Sequence, residues 1–255
     1  MKKQIPNIIT LSNLFFGCIS IVYILQNGLT LTVNAAGENL VVLPEKMMWA
    51  GVFIFAAALV DFLDGFVARL LNVPSEMGKQ LDSLADVVSF GVAPGLIAFQ
   101  FLRLSFAQDA GGLDASVFWL LPAFIIPCAG AYRLARFNID TTQQFSFKGV
   151  PIPAIGLLFA SFPMVYWYSE SSWLIQLMLN KWIWYGLIFL SAYLMVSTLP
   201  MMALKFNQFS TKKGMPFIIL AVVSIISAIL FGWVSVSIGF FGYVVLSLAY
   251  KQTSS

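Results

Sequence analysis

Apolar residues in this chain come in long blocks, not in strict alternation. Blocks run near 7–27, 46–72, 83–106, 117–138, 151–169, 181–200, 214–231 and 233–250. Each approaches the ~20 apolar residues that a helix needs to cross a bilayer. Between them lie residues that break helices. Asn27-Gly28 and Ala35-Ala36-Gly37-Glu38-Asn39 mark a first loop. Pro74 closes the second block, Asp109-Ala110-Gly111-Gly112 the third, and Gly149 to Pro153 opens the fifth. The last two blocks meet so tightly at Gly232 that they also read as one re-entrant element. The pattern predicts an all-α, polytopic transmembrane bundle of about eight helices, without an internal repeat or a soluble domain.

Composition sharpens this picture. The 255 residues are 60% hydrophobic and only 10% charged, against about 25% charged in an average soluble domain. Mean hydropathy is +0.88. A net charge of +3 without a basic run argues against a nucleic-acid partner. Met1-Lys2-Lys3 leads into the first apolar block with no small-residue cleavage site, so that block is expected to be retained. Cys18 and Cys128 sit in separate apolar blocks and read as small buried hydrophobes, neither a disulfide nor a metal pair. If the N-terminus is cytoplasmic and the helices alternate, all of the 14 Lys and Arg except Lys46, Arg103 and Lys181 fall on the cytoplasmic side. That bias is the one expected for a plasma (inner) membrane protein oriented with its N-terminus in the cytoplasm.

Four of the 11 acidic residues lie in one stretch: Asp61, Asp64, Asp82 and Asp86. A carboxylate inside a membrane segment costs about 2.5–3.5 kcal/mol on insertion scales, so each asks for a reason. Asp61 and Asp64 are three apart and Asp82 and Asp86 four apart, spacings that share a helix face. A turn near Asn72-Val73-Pro74-Ser75 would fold the pairs together. Oxygen donors from two facing helices suit Mg²⁺ or Mn²⁺, and two such ions could clamp a phosphoryl group. Gly65 and Gly78 would permit close approach, and Arg69 could neutralise a phosphate. Histidine is absent, so a general base would be a carboxylate, lysine, tyrosine or water. From the residues alone, pairing of these acids with Arg69 and Lys79, or an ion site of a cation-coupled transporter, stays open.

The spacing D-x2-D-G-x2-A-R-x8-G-x3-D-x3-D, here Asp61, Asp64, Gly65, Ala68, Arg69, Gly78, Asp82 and Asp86, resembles the signature of the CDP-alcohol phosphatidyltransferase family, without departure. Ile5-Pro6-Asn7-Ile8-Ile9-Thr10 resembles the start of that family's first helix. The resemblance covers roughly the first 155 residues. It implies a single membrane catalytic domain over 1–255, with a motif-bearing core of about 1–200 and extra C-terminal helices at about 210–250. It implies an enzyme that displaces CMP from a CDP-linked lipid, with two divalent cations held by Asp61, Asp64 and Asp82. Asp86 would approach the metals too and act as the base. Asn7, Gly65, Ala68, Arg69 and Gly78 would form the CDP-lipid site, and the family's habit implies a homodimer in membrane lipid.

Three further segments resemble the branch that takes L-serine: Leu81 to Pro94, Tyr132 to Asn138, and Phe147 to Ala154. They imply CDP-diacylglycerol as donor and L-serine as acceptor; choline, glycerol phosphate and inositol phosphate are the alternatives within the family. Arg133 and Arg136 could fork a carboxylate, with Asn138 orienting the substrate, or could serve as anchors ending the fourth helix. Lys148 could meet a phosphate or only solvent. Ser83 and Ser89 could line the pocket or bond back to helix carbonyls. Pro151 and Pro153 could merely shape the start of helix five.

Overall fold

The computed structural model describes residues 4–33, 37, 39–71, 75–140, 147–202 and 211–249. The turn Asn72-Val73-Pro74, loop residues Ala35, Ala36 and Glu38, and Lys2, Lys3, Lys205 and Lys251 lie outside the described residues. The helices are α1 (Ile5–Gln26), α2 (Met48–Leu70), α3 (Glu76–Asp86), α4 (Ala93–Ala107), α5 (Ile125–Ile139), α6 (Ile152–Tyr168), α7 (Ser172–Met178), α8 (Lys181–Val196), α9 (Thr211–Phe231) and α10 (Val234–Ala249). Among the described residues, strands form two small antiparallel pairs. β1 (Thr30–Val33) pairs with β2 (Asn39–Val42), and β3 (Phe147–Lys148) with β4 (Pro200–Met201).

All eight expected apolar blocks are helical. Among the described residues four stretches are long and apolar enough to cross a membrane: Ile5–Gln26, Glu45–Leu70, Glu76–Ala107 and Val117–Ile139. A fifth arises if α7 and α8, bent by 69°, form one broken span. α6 and α10 have 17 and 16 residues, about 25 Å of helix each, a little short of a ~30 Å hydrocarbon core. α9 and α10 are separate helices packed together, joined where Gly232 takes φ +54°.

Three local differences from the sequence expectation have physical causes. The third helical stretch begins at Glu76 instead of 83. The Ser75 hydroxyl accepts from the Gly78 N–H at 3.0 Å, an N-cap, and Glu76 complements the first turn. Hydropathy hid this polar, amphipathic turn. The first loop contains the β1–β2 hairpin, built from the β-favouring runs Thr-Leu-Thr-Val and Asn-Leu-Val-Val. Cys18 and Cys128 are exposed, not buried: in a bilayer protein, apolar side chains can face lipid instead of core.

α4 runs through the middle of the molecule, packed on α1, α6 and α8. Phe101 stacks on Trp184 with ring centroids 4.6 Å apart, and Phe159 and Phe162 close on the same indole. The indole N–H donates to the Met178 carbonyl at 2.7 Å. Between α3 and α4, residues Val87–Val92 widen into a π-helix, in which Ala93 N–H bonds Val88 O. Pro94 offers no N–H to the Phe90 carbonyl, and its ring crowds that turn, so a wider turn there is expected.

Candidate active site

The site is built where α1, α2, α3 and the π turn converge. α1 offers an apolar outside and a buried seam of small and polar residues: Pro6, Thr10, Asn13, Gly17, Ser20 and Ile24, spaced three and four apart. Small residues in such a seam let membrane helices approach closely. A Cβ on Gly17 would lie 2.3 Å from Ser89 Oγ and 2.9 Å from Ser89 Cα. Ser89 uses that space to donate to the Asn13 carbonyl at 3.1 Å. Ser20 donates to the Ala50 carbonyl of α2 at 2.8 Å. α1 is thereby locked against both carboxylate-bearing segments.

α2 carries Asp61 and Asp64 in its last three turns, and α3 carries Asp82 and Asp86. Carboxylate oxygens of Asp61, Asp64 and Asp82 all come within 4.8 Å of one another. The Asp86 carboxyl lies against that of Asp61 and within electrostatic reach of Asp82 and Asp64. Asp64 and Asp86 are each only 6% exposed. Two like charges 4 Å apart repel by about 4 kcal/mol at an effective dielectric of 20, so four require cationic charge among them. Thr10 sits 2.6 Å from Asp64 Oδ2, and the Asn13 amide donates to Asp61 Oδ1 at 3.5 Å. The donor set consists of hard oxygens, and Asp86 Oδ1 has no hydrogen-bond partner. Both facts fit divalent cations held by Asp61, Asp64 and Asp82, with Asp86 alongside.

The other motif residues meet in two places. Arg69 folds back over its own helix, so that a Cβ on Gly65 would meet its guanidinium at 3.6 Å. Arg69 is exposed, and Ala68 is half-buried beside it. A Cβ on Gly78 would stand 3.1 Å from the Asn7 side-chain oxygen, and Asn7 itself donates to Gln4 at 3.1 Å.

The residues expected to read the acceptor divide. Arg133 is 6% exposed and its Nε lacks a partner. The titratable groups acting on it are, in order, Tyr243, Asp86 and Arg136. Arg136 points elsewhere: it donates to the Val196 and Ser197 carbonyls at 2.7 and 3.0 Å, closing the C-terminus of α8. Asn138 donates to Ser83 at 2.8 Å, and its carbonyl accepts from Lys79 at 3.1 Å, tying α5 to α3. Lys148 pairs with Asp140 at 3.3 Å. Ser83 bonds back to the Lys79 carbonyl at 3.2 Å. Sequence reasoning missed Thr10 and Asn13, which the three-and-four spacing in α1 could have revealed.

A family model described as CDP-alcohol phosphatidyltransferase matches residues 3–182. The chain belongs to that family. Similar curated proteins include CDP-diacylglycerol–serine O-phosphatidyltransferases. The one from Helicobacter pylori is 37% identical over 155 residues, covering 60% of this chain and 54% of that protein. The one from Bacillus subtilis is 32% identical over 161 residues, covering 61% and 72%. The one from Saccharomyces cerevisiae is 40% identical over 154 residues, covering 57% and 48%. The matched segment thus spans only about half the length of two of these relatives, and the segment matched by the family model contains all four aspartates.

Proposed function

We propose that this protein transfers the phosphatidyl group of CDP-diacylglycerol to L-serine, giving phosphatidylserine and CMP. The observation that carries this reading is the convergence of Asp61, Asp64 and Asp82, with buried Asp86 beside them, on the family's motif. The names of the similar proteins supply the donor and acceptor.

In this reading Asp61, Asp64 and Asp82 hold two divalent cations, Mg²⁺ or Mn²⁺, and Asp86 also faces them. When bound, the cations supply positive charge against the pyrophosphate and the departing CMP oxygen. Gly65, Ala68, Arg69, Gly78 and Asn7 line the CDP moiety, with the Arg69 guanidinium over Gly65 available to a phosphate. Asp86 accepts the proton of the serine hydroxyl through its unpartnered Oδ1. The hydroxyl oxygen bonds to the phosphorus that carries the lipid. The bond from that phosphorus to the bridging oxygen breaks, and its electron pair leaves with CMP.

Arg133 receives the serine carboxylate. It feels Asp86 electrostatically yet makes no ion pair with it, which leaves an interval for a small substrate with a hydroxyl at one end and a carboxylate at the other. Phosphorylated acceptors would want more cations, but both terminal nitrogens of Arg136 donate to backbone carbonyls at the end of α8 and Lys148 pairs with Asp140. Arg136 and Asn138 therefore act as struts under the pocket. The reading also places the N-terminus and the site on the cytoplasmic side of the plasma membrane, and two copies in a homodimer.

The test is CMP release by the purified protein from CDP-diacylglycerol with Mg²⁺ or Mn²⁺, with and without serine. Serine-dependent release with phosphatidylserine formed is expected, with inversion at a chirally labelled phosphorus. Release with another alcohol only would replace serine and keep the aspartate chemistry. Absence of release with every acceptor would overturn the reading.

A further inference from the structure

Arg103 sits where a charge needs a reason. It is the single charged residue of α4, and its neighbours Leu102 and Leu104 are fully buried. It stands 17 residues beyond Asp86 on the continuous helical run Glu76–Ala107, about 25 Å along the axis at 1.5 Å per residue. It therefore belongs to the end of the molecule away from the carboxylates. A guanidinium within an apolar span is costly to keep, and it marks a site whose partner should be named. The other cations of that end stand beside acids. Lys181 pairs with Asp109 and lies over the Phe106 ring at 4.9 Å, and Lys46 shares a polar hollow of about 620 Å³ with Glu45. Among the described residues no acid makes an ion pair with Arg103.

Arg103 opens onto a cavity. The chain after α4 folds back over that helix in three short 3₁₀ turns, Gly112–Asp114, Val117–Trp119 and Leu121–Phe124. Gly112 lies so close to α4 that a Cβ there would collide with the Phe106 carbonyl. The Tyr185 hydroxyl of α8 donates to the Trp119 carbonyl at 2.6 Å and fixes the wrap from its other side. Between wrap and helix lies a cavity of about 350 Å³, lined by Phe99, Arg103, Leu113, Ala115, Val117 and Leu120, with Gly112. One guanidinium thus faces walls that are otherwise apolar. Leu113, Val117, Phe118 and Trp119 are all exposed, as large apolar and aromatic side chains are at a membrane–water interface. Arg103 also reaches the end of α1, where a Cβ on Gly28 would lie 3.7 Å from its Nη1.

We propose that this cavity binds an anionic phospholipid of the leaflet opposite the candidate active site. Arg103 takes the phosphate with its planar fork of N–H donors. Phe99, Leu113, Val117 and Leu120 receive the start of an acyl chain. A free anion gains nothing from those walls, and a zwitterionic lipid brings a second cation toward Arg103. An anionic lipid satisfies both parts of the lining. The site is independent of which alcohol the aspartate centre uses.

The experiment titrates the full-length protein in neutral detergent micelles with dioleoylphosphatidylglycerol, reading the melting temperature and, by native mass spectrometry, the lipid retained. Dioleoylphosphatidylcholine and glycerol phosphate are titrated in parallel. Phosphatidylglycerol is expected to stabilise the protein more than either. Arg103 is exposed, so its replacement leaves the packing of α4 intact. Arg103→Gln should raise the half-saturating lipid fraction by about 10-fold or more, the scale of losing a hydrogen bond to a charged group. Ala115→Phe, which fills the cavity and keeps Arg103, should do the same. Lys181→Gln removes a cation of the same end that does not line the cavity and should leave the affinity unchanged. Lipid held elsewhere, at the aspartates included, is common to all variants and cancels in the comparison. An equal response to phosphatidylcholine would reduce the site to an apolar hollow, and an equal response to glycerol phosphate would make it a site for free anions; either overturns the proposal. So would undiminished binding in Arg103→Gln or Ala115→Phe, or a loss in Lys181→Gln as large as theirs.

Discussion

At the scale of single residues, the site distinguishes acids held by polar side chains of α1 from one that keeps a buried oxygen without a partner. Asp64 has Thr10 at 2.6 Å and Asp61 has the Asn13 amide at 3.5 Å, whereas Asp86 Oδ1 is buried without a partner. Partners behind a carboxylate fix its orientation toward a cation, and losing one typically costs 10–100-fold in metal affinity. Thr10→Val should therefore weaken the metal activation constant by roughly 10-fold while leaving serine KM unchanged; a metal titration of CMP release checks it. A buried carboxylate oxygen without a partner is suited to take a proton. Asp86→Asn keeps the shape and removes that capacity, so turnover should fall by roughly 10²–10⁴-fold with CDP-diacylglycerol binding retained in an equilibrium assay. Near-native turnover in that variant would remove Asp86 from the role of base.

At the scale of elements, the close approach of α1 to the π turn sets where the carboxylates meet. Gly17 makes it possible, because any side chain there would collide with Ser89 and its backbone. Gly17→Ala should cost on the order of 1–3 kcal/mol as an overpacked contact and reduce activity further by moving Asp86 away from Asp61. Thermal unfolding in detergent alongside CMP release measures both; a variant with wild-type melting temperature and rate would show that the contact is slack. The helices themselves were legible in the sequence because a bilayer forces every apolar block to satisfy its backbone internally. So were the four aspartates, since charge stands out against such a background. Less legible was what depends on tertiary contact. The N-terminal turn of α3 is polar and escaped a hydropathy reading until Ser75 was seen capping it. Thr10 and Asn13 look like ordinary polar residues until α1 is docked. Arg136 reads as a substrate fork in the sequence, and only the position of α8 shows that its two terminal nitrogens donate to backbone carbonyls.

At the scale of the whole molecule, the two ends differ in kind. One end holds the aspartate cluster with Arg69, Lys79, Arg133, Arg136 and Lys148. The other end holds the β1–β2 hairpin, α7, Lys46, Arg103 and the Lys181–Asp109 pair. The continuous helical run from Glu76 to Ala107 has 32 residues, about 48 Å at 1.5 Å per residue. It is longer than a ~30 Å hydrocarbon core, so its polar start, with Asp82, stands at the interface where a lipid-linked phosphate and a water-soluble alcohol can meet. The proposed orientation puts that end, with its excess of Lys and Arg, on the cytoplasmic side. Gln80 on α3 and Asp114 beyond α4 are both exposed and sit at opposite ends. With Cys18 and Cys128 replaced by alanine, Gln80→Cys should react with a membrane-impermeant maleimide only after right-side-out vesicles are opened. Asp114→Cys should react before. The reverse pattern would invert the molecule, and would place a site that consumes a CDP-linked lipid on the side of the membrane away from nucleotide metabolism.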